Sequence, residues 1–258
     1  MKKFASMLLA LALIFSYSVV SFAESSPLTE IELQAKYKEL AGTSINVYNW
    51  GEYISDGSEG TMNVNEEFEK LTGIKVNYTT YATNEDMYTM LKSGGAAYDI
   101  VVPSDYMIER LINEGYLDKI NFRNVPNYKN IMDEYKGLYF DPNDEYSVPY
   151  NVGMVGVIYN KTIVKDPVKS WSLMWDKEYK GRILQFNNPR DGFATAMFMQ
   201  GIDVNTQDKA QWQEAYKMLI EQKGVVQSYV SDEIFNKMKN GSAAAAPYYA
   251  GDFLTMYD

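Results

Sequence analysis

The chain has 258 residues, of which 46% are apolar and 22% charged, so it can bury a sizeable core and is not a disordered chain. Its 24 lysines and arginines face 34 aspartates and glutamates, and a net charge of −10 argues against nucleic-acid binding because it repels phosphate. The sequence has no cysteine and no histidine, which excludes disulfides, Cys/His zinc sites and His-dependent nucleophilic catalysis. Catalysis at neutral pH would depend on carboxylates, lysine, tyrosine or an oxygen-ligated metal.

The first 23 residues have the layout of a secretory signal peptide. Lys2 and Lys3 precede an apolar run from Leu8 to Val20, and Ala23 ends a small-x-small cleavage motif. The alternative is an N-terminal membrane anchor, but the run is short for a membrane span and is interrupted by polar residues. We therefore expect an exported chain, and the lack of cysteine predicts that no lipid is attached at a processed N-terminal cysteine.

The next part of the chain predicts a polar extension and then a regular alternation of strands and helices. In the extension, residues 24–43, we expect a short helix with Leu33, Tyr37 and Leu40 on one face. Beyond it we expect strands at 44–50, 74–81 and 98–102 and helices at 65–71, 84–92 and 104–113. Asn84 is the expected cap of the second of these helices. This alternation predicts a mostly parallel sheet with helices on both faces.

Residues 120–150 interrupt the alternation with prolines and many Asn, Asp and Tyr residues, and a second block follows. In that block we expect strands at 154–159, 182–186, 227–230 and 242–248 and helices at 193–200, 209–221 and 232–239. The pattern predicts two α/β lobes, 44–150 and 151–258, joined by a hinge around Tyr150–Met154. The sequence ends a few residues into a helix that begins near Ala250, so we expect the second lobe to be incomplete.

Four predicted strand ends combine aromatic rings with carboxylates, amides and hydroxyls. These segments are 49–53, 103–106, 187–191 and 247–249, with Asp252 just beyond the last. Ligands of open α/β sheets lie beyond the carboxyl ends of strands, and aromatic faces and carboxylates both attract ammonium groups. The pattern indicates a site for an organic cation. The alternative is that Trp50 packs in the core or at its rim and that Asp191 and Asp252 cap the helices that follow them.

Several motifs stand in a fixed order along the chain. They are Tyr-Asn-Trp-x-Glu-Tyr (48–53), Thr-Gly-Ile-Lys-Val (72–76), Tyr-Asp-Ile-Val-Val-Pro-Ser (98–104), Tyr-Ser-Val-Pro-Tyr (146–150), Trp-x-x-Met-Trp (171–175), Glu-Tyr-Lys-Gly (178–181) and the block through 191. Together, from about residue 44 to the end, they resemble the periplasmic spermidine/putrescine-binding proteins of ABC importers. The resemblance implies a two-lobed type II periplasmic-binding-protein fold that closes on a linear polyamine. It implies a monomeric receptor without cofactor or metal that delivers its ligand to a permease in the inner membrane.

Matched position by position, the resemblance implies five ligand-binding residues in the first lobe. Trp50 and Tyr53 would wall the ligand on that side, and Glu52 would lie near one terminal amine. Ser104 and Tyr106 would line the same face.

In the second lobe the resemblance implies three more ligand-binding residues. Asn188 and Asp191 fall where the family places acidic residues for the amines, and Tyr249 falls where an aromatic residue, commonly tryptophan, packs on the methylene chain. Asn188 departs from the expected carboxylate, which weakens one cation contact and leaves the choice between spermidine and putrescine open.

Two other functions fit parts of the pattern. A ferric-ion receptor of the same fold would use the phenolate oxygens of adjacent tyrosines such as Tyr248 and Tyr249. A secreted glycan hydrolase would use Glu52 and Asp191 as an acid–base pair, but no motif supports it and the two residues belong to opposite predicted lobes. The main interpretation is a non-catalytic polyamine receptor of the periplasm.

Overall fold

Two β-sheets flanked by helices make up the computed structural model, which describes residues 29–95 and 97–257. The predicted signal peptide, residues 1–23, lies outside the described residues. The elements are α1 (Glu30–Tyr37), β1 (Ser44–Trp50), α2 (Val64–Thr72), β2 (Lys75–Tyr81), α3 (Asn84–Ser93), β3 (Ile100–Val101), α4 (Asp105–Asn113), β4 (Val155–Tyr159), β5 (Ile183–Phe186), α5 (Pro189–Gln200), α6 (Lys209–Gln222), β6 (Val226–Val230), α7 (Glu233–Lys239), β7 (Ala245–Tyr249) and α8 (Phe253–Tyr257). Within these residues no helix is long and apolar enough to cross a membrane.

The first sheet has the strand order β2-β1-β3, and both of its strand pairs are parallel. This confirms the alternation of strands and helices that the sequence predicts. The predicted third strand, 98–102, is too long, because β3 spans only Ile100–Val101. The carboxylate of Asp99 accepts a hydrogen bond from the backbone N–H of Asn46 at 2.8 Å, a bond that a strand carbonyl would otherwise accept.

Two helix predictions in this half of the chain are wrong in detail. Asn84 does not cap α3, because the hydroxyl of Thr83 accepts the N–H of Asp86 at 3.1 Å and Asn84 is fully buried. Helix α1 ends at Tyr37, so Leu40 lies in the turn that follows it and is half exposed. Helix α3 thus begins at residue 84 as predicted but is capped one residue earlier, and α1 ends before it reaches Leu40.

Aromatic rings form much of the core of the first sheet. Tyr48 stacks on Tyr98 with ring centroids 4.4 Å apart and meets the edge of Tyr81 at 4.9 Å. The fully buried Met107 and Leu111 of α4 pack into the same cluster. Because Tyr81 ends β2, this core reaches the carboxyl end of the sheet.

The second sheet has the order β4-β7-β5-β6, with β4 antiparallel to β7 and the other pairs parallel. The prediction of mostly parallel sheets is confirmed. The central strand β5 is buried along its whole length, and its Gln185 donates to Thr195 at 2.9 Å and to Gln222 at 2.8 Å. Gln222 in turn donates to the carbonyl of Met174, so this buried amide network ties β5 to α5 and α6.

Residues 120–153 connect the two sheets without a strand and contain three short 3-10 helices, Phe122–Asn124, Pro126–Asn130 and Asp133–Tyr135. A buried carboxylate organises the end of this connection. Asp141 accepts the backbone N–H groups of residues 145, 146 and 147 and the hydroxyl of Ser147, all at 2.9–3.0 Å. The lobe boundaries at 150 and 151 and the hinge around Tyr150–Met154 stay predictions.

Replacing Asp141 by asparagine tests this organising role. Burial alone would raise the pKa of Asp141, but the amide and hydroxyl donors outweigh it and lower the pKa, so its charge stabilises the fold above pH 4 and less as the pH falls. We expect Asp141→Asn to lower the free energy of unfolding by about 2 kcal/mol at neutral pH, because the new amide faces N–H donors. Denaturant unfolding measures this. Asp118→Asn, at an exposed aspartate, is the control, and equal effects of the two would contradict the assignment.

Candidate ligand-binding site

A cavity lies at the carboxyl ends of strands from both sheets, where the sequence predicts a site. The first sheet and its loops contribute Trp50, Glu52, Tyr53, Ala82 and Ser104. The second sheet and its loops contribute Phe186, Asn188, Asp191, Val230, Ser231, Asp232, Tyr248, Tyr249 and Asp252. The cavity is therefore walled by residues more than 100 positions apart in the sequence.

The structure brings together most of the predicted site residues. The cavity lining includes Trp50, Glu52, Tyr53, Ser104, Asn188, Asp191 and Tyr249. Tyr106 is not in the lining, but its hydroxyl accepts from Asn84 at 3.0 Å and donates to Glu85 at 3.1 Å. Asn84 also donates to the hydroxyl of Ser104 at 3.0 Å. Asn84, which the sequence predicts to be a helix cap, is thus a buried residue whose side-chain amide holds Ser104 and Tyr106 in place. That these residues contact a ligand stays a prediction.

Trp50 lies where the core of the first sheet meets the cavity. Its ring packs on Tyr81 with centroids 4.6 Å apart and lies 6.1 Å from Tyr53, which also lines the cavity. The hydroxyl of Tyr150, in the predicted hinge, donates to the carbonyl of Tyr53, and their rings lie 6.1 Å apart. Trp50 therefore packs at the rim of the core and also presents an aromatic wall to the cavity.

The second sheet adds a facing aromatic wall. Phe186, at the end of β5, lies 5.4 Å from the ring of Tyr249 and 6.1 Å from that of Tyr248, which are neighbours on β7. The hydroxyl of Tyr249 donates to Asp191 at 2.6 Å. Ring faces and a methylene chain pack well together, so these walls suit an apolar segment of a ligand.

Asp191 does not cap the helix on which it lies. Its Oδ2 accepts from the hydroxyl of Tyr249 and from the side-chain amide of Asn188, each at 2.6 Å. Asn188 precedes helix α5 but makes no capping hydrogen bond, and its Oδ1 is buried without a hydrogen-bond partner. Burial raises the pKa of Asp191 despite these two donors. The Asn188 side chain thus keeps an unused acceptor next to the cavity, and the negative charge of Asp191 is held there at a free-energy cost.

Three further carboxylates line the cavity, and all have a raised pKa. Partial desolvation raises the pKa of Glu52, Asp232 and Asp252, and their mutual repulsion adds to the effect in Glu52 and Asp252. No salt bridge among the described residues includes any of the four cavity carboxylates. Arg190, next to Asp191 in the sequence, instead lies over the ring of Tyr106 at 5.0 Å and is not in the lining. The cavity is therefore strongly acidic.

Sequence reasoning missed several lining residues, of which Asp232 is the most informative. Asp232 follows the end of β6 at Val230, so the strand-end rule that located the other segments applies to it as well. The sequence pattern instead places it at the start of the predicted helix 232–239. Phe186 ends β5 and also lines the cavity, one residue before the segment 187–191 that the strand-end rule selects.

Comparison with known sequences places the chain in a family. Residues 63–257 match the sequence profile of the bacterial extracellular solute-binding proteins. The chain belongs to this family. It is 38% identical over 197 residues to the spermidine/putrescine-binding periplasmic protein of Escherichia coli. The aligned region covers 75% of this chain and 55% of that relative. It is 29% identical to spermidine/putrescine-binding periplasmic protein 1 of Haemophilus influenzae, over 97% of the chain and 68% of the relative. The chain therefore spans little more than half the length of its Escherichia coli relative.

Solved structures show the same fold. A transporter protein of Listeria monocytogenes superposes with a TM-score of 0.76 at 33% identity, over 83% of this chain and 65% of that one. The spermidine/putrescine ABC transporter substrate-binding protein of Streptococcus pneumoniae superposes with a TM-score of 0.62 at 31% identity, over 83% and 64% of the two chains. The predicted periplasmic-binding-protein fold is confirmed.

Neutralising Asp191 tests whether its charge is uncompensated in the ligand-free protein. A carboxyl whose pKa is raised on folding stabilises the fold when protonated and loses that contribution as the pH rises through its folded-state pKa. We expect Asp191→Asn to raise the thermal unfolding temperature at about pH 7.5 by a few degrees and by less at about pH 4.5, near the ordinary aspartate pKa. Circular dichroism melting curves measure this.

Asp166→Asn, at an exposed aspartate in the same half of the chain, is the matched control for loss of one negative charge. An Asp191→Asn variant that is less stable than the parent at both pH values would contradict the assignment.

Proposed function

We propose that this chain is the ligand-capturing part of an extracytoplasmic receptor for a linear polyamine, spermidine or putrescine. One observation carries the proposal: four carboxylates that form no salt bridge with any described residue share a cavity with two aromatic walls. The named relatives of Escherichia coli and Haemophilus influenzae are spermidine/putrescine-binding proteins, which supports the same ligand class.

The chemistry of a polyamine matches this cavity in two respects. Its ammonium groups would supply the positive charge that the desolvated carboxylates lack, and ion pairing would lower the raised pKa of each carboxyl that it contacts. Its methylene segments would pack between Trp50 on one side and Phe186 and Tyr249 on the other. The unpartnered Oδ1 of Asn188 would accept an ammonium N–H, so asparagine at this position keeps an acceptor for the ligand although it lacks the charge of a carboxylate.

The two-sheet arrangement suggests how capture would be signalled. Binding energy would hold the lobes, 44–150 and 151–258, closed about a hinge at Tyr150–Met154, and the closed form would be recognised by the permease of an ABC importer. We propose that the receptor acts as a monomer in the periplasm, after removal of residues 1–23, without catalysing a reaction. The net charge of −10 disfavours a nucleic-acid partner.

The ferric-ion alternative requires phenolate ligands from Tyr248 and Tyr249. Burial raises the pKa of both tyrosines, and the hydroxyl of Tyr249 already donates to Asp191, so loss of either proton is disfavoured. Among the described residues no group of three or more carboxylates is arranged to hold a metal ion. A visible absorption band on adding ferric ion would favour this alternative. Turnover of a chromogenic glycoside would favour the hydrolase, for which Glu52 and Asp191 do line one cavity.

Calorimetric titration of the purified chain with spermidine, and then with putrescine, tests the proposal. We expect heat at one ligand per chain, and a loss of affinity of about tenfold or more in Asp191→Asn because a charge-assisted hydrogen bond is removed. Asp166→Asn should bind as the parent does. Circular dichroism on the same samples checks that each is folded. A folded parent chain that binds neither amine would contradict the proposal.

A further inference from the structure

Asp232 lines the cavity and directly precedes helix α7, but its side chain does not cap that helix. It is the N-cap residue of α7 (Glu233–Lys239), yet its carboxylate makes no capping hydrogen bond to that helix. The carboxylate of Glu233 accepts the nearby backbone N–H of Ser231 at 3.0 Å instead. Capping of α7 therefore does not explain an aspartate at this position, although aspartate is a common N-cap residue; its local partner among the described residues is the side chain of Ser231, which stabilises the charged form.

The carboxylate of Asp232 instead faces the loop that follows β1 in the first sheet. A Cβ atom placed on Gly51 would lie 2.5 Å from Oδ2 of Asp232, which is closer than two such atoms can approach. The backbone of Gly51 is outside the left-handed region, so an added methyl group would be accommodated by movement of the Asp232 carboxylate, which is the free end of a flexible side chain. Gly51 lies between Trp50 and Glu52, which both line the cavity. The two loops therefore meet at Asp232.

This contact brings Asp232 beside Glu52, the residue after Gly51, and Asp252 lines the same cavity. Besides desolvation, repulsion from Asp232 raises the pKa of Glu52, and repulsion from Glu52 and Asp232 raises that of Asp252. We call Glu52, Asp232 and Asp252 the carboxylate trio. Asp191 belongs to a different part of the cavity, where Asn188 and Tyr249 donate to it. The cavity thus has two acidic regions, one with three carboxylates and one with the single carboxylate of Asp191.

We propose that Asp232 is a ligand-binding residue and that the carboxylate trio holds one primary ammonium group of the ligand. A primary ammonium has three N–H donors, and the trio offers one carboxylate for each. At the other acidic region, Asp191 and the buried, unpartnered Oδ1 of Asn188 would accept from a second nitrogen. The inference rests on the proposed function and adds to it the residue that selects a primary amine at one end of the ligand.

Titration of the full chain with putrescine and with spermidine, in parent and variant forms, tests the role of Asp232. We expect Asp232→Asn to weaken binding of both amines about tenfold or more, because a charge-assisted contact to the ammonium is lost. Asp166→Asn is the matched control: it removes one negative charge from an exposed position that does not line the cavity, and should change affinity by about twofold or less. Equal affinities of the parent and Asp232→Asn would overturn the inference, whereas a parent that binds neither amine would overturn the proposed function itself.

A double-mutant cycle with Gly51 separates ligand binding from a merely structural effect. Gly51→Ala should weaken binding in the parent, because the added methyl group displaces the carboxylate of Asp232. In an Asp232→Ala background the same Gly51→Ala change should have little further effect, because no carboxylate remains to be displaced. Losses of affinity that simply add would overturn the inference.

Discussion

The site of this protein depends on desolvated carboxylates that form no salt bridge within residues 29–95 and 97–257. Asp191, Asp232, Asp252 and Glu52 come from both halves of the chain and share one cavity, and each has a raised pKa. An arrangement of this kind destabilises the ligand-free protein at neutral pH, because burial disfavours each charge, like charges repel, and no cation in the described part of the chain pairs with them. This loss of stability is reasonable for a receptor, because the ammonium groups of a polycationic ligand would supply the missing positive charge.

The rest of the fold positions these charges. Parallel strands bring their carboxyl ends to one edge of each sheet, so short loops after β1, β5, β6 and β7 deliver the acidic and aromatic side chains. Uncharged hydrogen-bond donors then orient them: Asn84 holds Ser104 and Tyr106, and Asn188 and Tyr249 hold Asp191. Neutral donors fix the direction of a carboxylate and leave its charge for the ligand.

Most of the fold and the site could be predicted from the sequence, since strand–helix alternation and the strand-end rule depend on local patterns. The predictions failed where tertiary contacts decide. Asn84 has the residue type of a helix cap, but Thr83 takes that role and Asn84 is buried under two site residues. Asp232 also has the residue type of a cap, and its position against Gly51 depends on a contact between two sheets that no local pattern reports. The shortness of β3 depends similarly on the side chain of Asp99.

Proton release on ligand binding tests the central claim most directly. Spermidine is titrated into the chain at about pH 4.5, near the ordinary pKa of aspartate and glutamate side chains, in two buffers of different ionisation enthalpy, and the difference in heat gives the number of protons exchanged. Because amines stay charged at this pH, the account predicts net proton release as carboxyls with a raised pKa ionise against the ligand. Binding with no exchange of protons, or with uptake, would contradict the claim that the cavity carboxylates are uncompensated before the ligand arrives.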